Sequence, residues 1–182
     1  MTLLEMKKKV LQLIEEIDDS NELTSDPDIA AKLNSVINQV QFELARMKKI
    51  PACKTVEFKA NELFDLRTLE DFYQLMTLRV KDDKAECEMF NNTILASDDC
   101  EALVLYYKYP TVITDDTADD YKFELSRDAL EIMPYGVAAD LLKSDVSTNY
   151  GAVYSQRYET MLQRLDPRYN TGAIAIEGGV II

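Results

Sequence analysis

Chemistry in this chain would have to come from carboxylates, thiols, lysines or tyrosines, because the sequence contains no histidine. That removes the Ser-His and Cys-His nucleophile pairs, the imidazole general base and the commonest side-chain metal ligand. The densest group of reactive side chains is TDDTADD at residues 114–120, which holds Asp115, Asp116, Asp119 and Asp120. Such a run could bind calcium, but it lacks the central glycine and the spaced terminal glutamate of the usual calcium loop. Its other reading is a polar linker. Acid–base work by the same aspartates would need a raised pKa in a concave, partly dry site, whereas aspartates in a polar loop are hydrated. The three cysteines, Cys53, Cys87 and Cys100, show no C-x-x-C spacing. They read as buried free thiols in a reducing compartment. The alternative, a three-thiolate metal site, would use a spacing that fits no common zinc pattern. No catalytic, cofactor-binding or metal-binding residue is assigned, and the chain reads as something other than an enzyme.

Composition points the same way. A length of 182 residues suits one domain, or one domain carrying an insertion, and an apolar fraction of 47% can fill a core. The net charge of −13 repels nucleic-acid phosphates and anionic membranes, and it favours neutral or basic partners. The opening segment, MTLLEMKKKVLQL, is broken by Glu5 and three lysines, so it reads as neither a signal peptide nor a membrane span.

The elements that must position these groups follow from hydrophobic periodicity. Residues 126–165 organise the rest, as two helices joined by a short polar connection. Leu130, Ile132, Met133, Val137, Ala138, Leu141 and Leu142 form the first apolar stripe; Val153, Tyr154, Tyr158, Met161, Leu162 and Leu165 form the second. Ser126 is placed to cap the first of them, with Leu125 as its hydrophobic staple, and Pro134 predicts a kink or a late start. Two earlier helices are expected over residues 2–18 and 27–49, the second capped by Asp26 with Pro27 in its first turn and stopped by Pro51.

Between these helix pairs the period changes to two. Residues 53–60, 72–81, 86–96 and 101–109 read as strands, with Asn91-Asn92 as a turn inside the third stretch. The strand over 101–109 is apolar on both faces and should be central. Tyr73, Tyr106, Tyr107 and Tyr109 are either sheet core and rim or a stacking face for a carbohydrate or host-surface ligand. The last stretch, residues 168–182, ends TGAIAIEGGVII and carries Ile174, Ile176, Val180, Ile181 and Ile182. These five are the expected partner-binding residues of an extended arm that adds to a neighbour's sheet edge or groove; otherwise the stretch is a disordered end.

The expected architecture is therefore α+β. It is a four-helix bundle formed by residues 1–50 and 121–166, with an antiparallel β-sandwich-like insertion at residues 51–114 between helices two and three. An extended C-terminal arm occupies residues 167–182. Three stretches carry a resemblance: the aromatic strand ending at Pro110 with Val112, Ile113, Asp115 and Asp116 after it; the segment Pro134-Tyr135-Gly136-Val137-Ala138-Ala139 leading to Leu141, Leu142 and Asp145; and the final helix with Tyr154, Arg157, Tyr158, Leu162 and Leu165. Over residues 30–166 the chain resembles the head-to-tail connector (adaptor) and neck proteins of tailed bacteriophages. The resemblance implies a virion structural protein whose subunits, monomeric in isolation, form a ring under the portal and join capsid to tail. Its partners would be portal and tail-completion proteins, with no cofactor, no sequence-specific nucleic-acid binding and no membrane. It would sit in the host cytoplasm before assembly and in the neck of the virion afterwards. In that setting the acidic surface would either line a DNA channel that phosphates must not stick to, or serve solubility alone.

Overall fold

The computed structural model describes residues 1–16, 23–24, 26–81, 85–143 and 149–165. These fall into two compact units, one of residues 1–50 with 109–165 and one of residues 51–108. The helical unit contains α1 (Leu3–Leu13), α2 (Pro27–Lys48), α3 (Arg127–Leu141) and α4 (Tyr150–Arg164). The strands run in the order β1 (Ile50–Phe58), β2 (Leu63–Asp65), β3 (Phe72–Val80), β4 (Cys87–Phe90), β5 (Thr93–Ala96) and β6 (Cys100–Lys108).

The fold is α+β, but the expected four-helix bundle with a β-sandwich-like insertion does not form. The strands make two separate three-stranded antiparallel sheets, ordered β1-β6-β3 and β2-β5-β4. The helices are not the four walls of a bundle either. The main helix–helix packings among the described residues are α1 on α3, α2 on α3 and α4 on α3. A bundle would instead place each helix between two neighbours around a shared centre. The cause is the composition of α3. Ala129, Leu130, Ile132, Met133, Pro134, Gly136, Val137 and Ala138 are all buried, so its apolar surface extends well beyond one stripe. A helix of that kind becomes the core itself.

Local signals explain the helix ends. Thr2 accepts from the Glu5 N–H and Glu5 accepts from the Thr2 N–H, a reciprocal capping box. The two remaining orphan donors of α1, on Leu3 and Leu4, donate to the carbonyls of Tyr121 and Asp119 at 2.9 and 3.0 Å. Asp26 caps α2 through the Asp28 and Ile29 N–H groups, with Pro27 in the first turn as the sequence predicts. That helix ends at Lys49, whose φ of 41° lies in the left-handed region. Ser126 does occupy the N-cap position of α3, but its side chain makes no capping bond. The helix continues through Pro134, which cannot donate to the Leu130 carbonyl.

In the strand unit β6 is central, with Ala102, Val104 and Tyr106 turned into the core. Phe58, Leu66, Phe72, Ile94 and Ala96 complete that cluster. Asn91 takes a φ of 54° in the β4–β5 turn, a value asparagine tolerates better than most residues. The strand β2 has three residues, too few to leave a periodic signal, and periodicity does not predict it.

Candidate functional site

The acidic run is a structural crossing. Thr114 and Thr117 close a turn on each other, Asp115 accepts from the Asn34 amide at 2.8 Å, and the Asp119 carbonyl caps α1. Among the described residues no group of three or more His, Cys, Asp or Glu side chains is arranged to hold a metal ion. The bonds made by Asp115 and by the Asp119 carbonyl fit the linker reading.

What holds this returning segment is a polar row on α2 that sequence reasoning does not single out. Asn34, Asn38 and Gln41 stand four and three residues apart, on one side of the helix. The Asn38 amide donates to the Ile113 carbonyl at 2.7 Å and its oxygen accepts from the Ile113 N–H at 2.8 Å. Gln41, only 1% exposed, donates to the Thr111 carbonyl at 3.0 Å and to Asn38 at 2.7 Å. The side chains thus replace a strand partner for backbone that has none. Three amides at helical spacing, set against an apolar stripe, are the signal that could have found them.

The second and third motifs behind the family resemblance meet each other in space. Gly136 of α3 faces Tyr158 of α4 so closely that a Cβ there would lie 2.9 Å from the ring. The Tyr158 hydroxyl donates to Glu43 at 3.0 Å, and burial, with the Glu43 charge, pushes its pKa well above the ordinary phenol value. Arg157 stacks over the Tyr135 ring at 4.3 Å, and Tyr154 donates to the Leu13 carbonyl. At the start of α3, Lys48 reaches Asp128 at 2.6 Å. Burial opposes the Asp128 charge, but the bonds from Lys48 and the Ala129 N–H outweigh it and hold the carboxyl at about 2. These groups bind the helices to one another.

Of the four tyrosines weighed as a stacking face, Tyr73 and Tyr109 are half-buried. Tyr106 and Tyr107 are buried. Tyr106 donates to Asp71 at 2.8 Å, and burial followed by the Asp71 bond pushes its phenol up to about 12.

The surface that stands out is the outer face of the β2-β5-β4 sheet. The register pairs Leu63 with Leu95 and Leu95 with Glu88, and Phe90 with Thr93, so these side chains share one face. The opposite face sends Phe64 and Ile94 into the core. On the outer face Leu63 is 72% exposed and Phe90 78% exposed. They flank a shallow groove of about 310 Å³ with Leu95 at its floor and Glu88, Asn91 and Thr93 at its polar edge. An antiparallel sheet with one wet face should alternate apolar and polar residues; here the wet face keeps a leucine, a phenylalanine and a second leucine. The five expected arm residues, Ile174, Ile176, Val180, Ile181 and Ile182, lie outside the described residues.

In comparison with known proteins, no family model and no curated protein matches the chain. Among the described residues no helix is long and apolar enough to cross a membrane.

Proposed function

We propose that this chain is a virion structural protein, a head-to-tail connector subunit that assembles as a ring under the portal and joins capsid to tail in the neck of a tailed phage. The observation that carries the reading is the outer face of β2-β5-β4, where Leu63, Phe90 and Leu95 keep apolar surface in water. Exposed apolar side chains rimmed by polar ones mark protein-contact surfaces. The resemblance of residues 30–166 to connector proteins supports reading these as contacts with other virion proteins. Glu88 at the edge of the groove, on a chain of net charge −13, selects a partner segment that is apolar at its centre and basic at its border. The occupant is thus a neighbouring virion protein of that character. A second copy would bring a further net charge of −13 to the contact.

The test mixes the full chain with the portal protein encoded in the same genome, read by sedimentation and by electron microscopy of the particles. The chain alone should sediment as a small species, and the mixture should give portal rings carrying extra density. Phe90→Ser combined with Leu63→Ser should leave the melting temperature nearly unchanged, because both side chains are already in water, and weaken association about tenfold or more. Failure of the wild-type chain to join the portal would reject the connector reading. Equal association by the double variant would reject this face as the contact.

A further inference from the structure

We infer that β4 is a strand-addition site: its open edge takes an extended segment of the partner, basic opposite Glu86 and Glu88 and apolar opposite Phe90, as a further strand of the β2-β5-β4 sheet. The inference rests on the reading of this sheet as a contact surface and says how the contact is made. Backbone pairing fixes the direction of each polar group. The Ser97 N–H donates to the Glu86 carbonyl at 2.9 Å, so these two residues form a hydrogen-bonded pair. From there the register runs without a bulge through Cys87–Ala96, Glu88–Leu95, Met89–Ile94 and Phe90–Thr93. Hydrogen-bonded pairs alternate in an antiparallel ladder, so Glu88 and Phe90 bond to β5 while Cys87 and Met89 do not. The far side of β5 agrees: the Ala96 and Asn92 carbonyls accept from the Asn61 and Leu66 N–H groups at 2.9 and 2.8 Å, on the β2 side. The N–H and C=O of Cys87 and Met89 therefore point away from β5, and among the described residues no strand pairs with them.

Both faces of this edge carry exposed apolar side chains. Phe90 lies on the outer face; Met89, on the other face, is 59% exposed although Ile94 opposite it is buried. An apolar edge with neither proline nor bulge is a template for another strand. The opposite edge of the sheet offers less. β2 has three residues, and Asp65 at its end accepts from the Arg67 N–H and turns the chain into the single helical turn Leu66–Thr68. The side chains of β4 select the occupant. Glu86, Glu88 and Phe90 alternate onto the outer face, all three exposed. Residues directly opposite across a pair interact by charge, so the incoming strand carries Lys or Arg opposite the two glutamates. It carries apolar residues opposite Phe90, Met89 and Cys87. A second β4 docked antiparallel about Glu88 would instead set two Glu88 carboxylates directly opposite each other.

The probe is the peptide acetyl-Val-Val-Lys-Val-Lys-amide, whose residues meet Phe90, Met89, Glu88, Cys87 and Glu86 in turn when it runs antiparallel to β4. It is titrated into the full chain and followed by amide hydrogen exchange. With peptide bound, the Cys87 and Met89 amides should exchange about tenfold more slowly or slower still. The same peptide N-methylated at its second and fourth residues keeps its side chains but loses the donors that face β4, and should bind about tenfold more weakly or worse. The counterpart with glutamate in place of both lysines should also bind more weakly. Met89→Pro removes an N–H that β5 does not use, so the melting temperature should hold while peptide binding falls. Should that proline impair folding, Glu88→Lys at an exposed position is the second variant, and it should reverse the preference between the lysine and glutamate peptides. No protection of Cys87 and Met89, or equal binding by the N-methylated peptide, would overturn strand addition and leave the connector reading to the portal experiment. Protection by the peptide together with no association with the portal would reject the connector reading and leave the strand-addition site standing.

Discussion

Replacing Gly136 by alanine sets two opposed effects against each other, and the structure decides the sign. In an exposed helix interior the change would stabilise by about 1 kcal/mol, because glycine has more backbone freedom to lose on folding. At this position the new methyl carbon would sit 2.9 Å from Tyr158 Cε2 and 3.0 Å from Val40 Cγ1. Neither neighbour is free to retreat. Tyr158 is 8% exposed and Val40 2% exposed, and the Tyr158 hydroxyl is bonded to Glu43 at 3.0 Å. Overpacking of a filled core costs roughly 1–3 kcal/mol, and a turn of the ring would strain the Glu43 bond as well. The net expectation is a loss of about 1–2 kcal/mol, or roughly 3–6 °C in the melting temperature. The assay is thermal and urea unfolding followed by helical circular dichroism. It should be run as a double-mutant cycle with Tyr158→Ala. In that background the ring is gone, so Gly136→Ala should become neutral or stabilising. Two results would refute the reasoning: a higher melting temperature for Gly136→Ala alone, or the same loss with and without Tyr158.

Asn38→Ala should cost about 2–3 kcal/mol, because it strips partners from both the N–H and the carbonyl of Ile113. Asn34→Ala, which removes one bond to a solvated aspartate, should cost well under 1 kcal/mol. Equal losses in urea titrations would show that the amide row is not what holds the segment. Asp128 has its folded pKa lowered from 3.8 to about 2, so its contribution is present above pH 3.8 and fades as pH falls toward 2. Its side chain is 49% exposed, which limits the effect to about 1 kcal/mol or less after solvent screening. Asp128→Asn should therefore be less stable than wild type at pH 7 and converge on it near pH 2; a gap that persists at low pH would assign the loss to something other than ionisation.

Sequence alone determined the elements whose signals are local. Asp26 and Pro27 fix the start of α2 because a cap acts on N–H groups two and three residues away. The aromatic, two-faced run over β6 makes that strand central, since only an interior strand can cover both of its sides. Asn91 and Asn92 mark a hairpin because asparagine accepts the backbone angles of the turn. The absence of histidine belongs to composition alone, and imidazole chemistry is lost with it whatever the fold.

Tertiary structure decided what depends on distance along the chain. Periodicity records that α3 is apolar but not how many neighbours cover it, so a hub helix reads as one wall of a bundle. The strand stretches could not say that they would divide into two sheets, because pairing partners lie tens of residues apart. Asn34, Asn38 and Gln41 look like ordinary surface amides until the backbone of residues 111–113 arrives beside them. Leu63 and Phe90 look like ordinary strand residues until the register turns them outward together. Cys87 and Cys100 sit at no recognisable motif spacing, and only the fold brings them into one apolar cluster. In each case the deciding free energy lies between groups far apart in sequence, and a pattern read from neighbouring residues does not contain it.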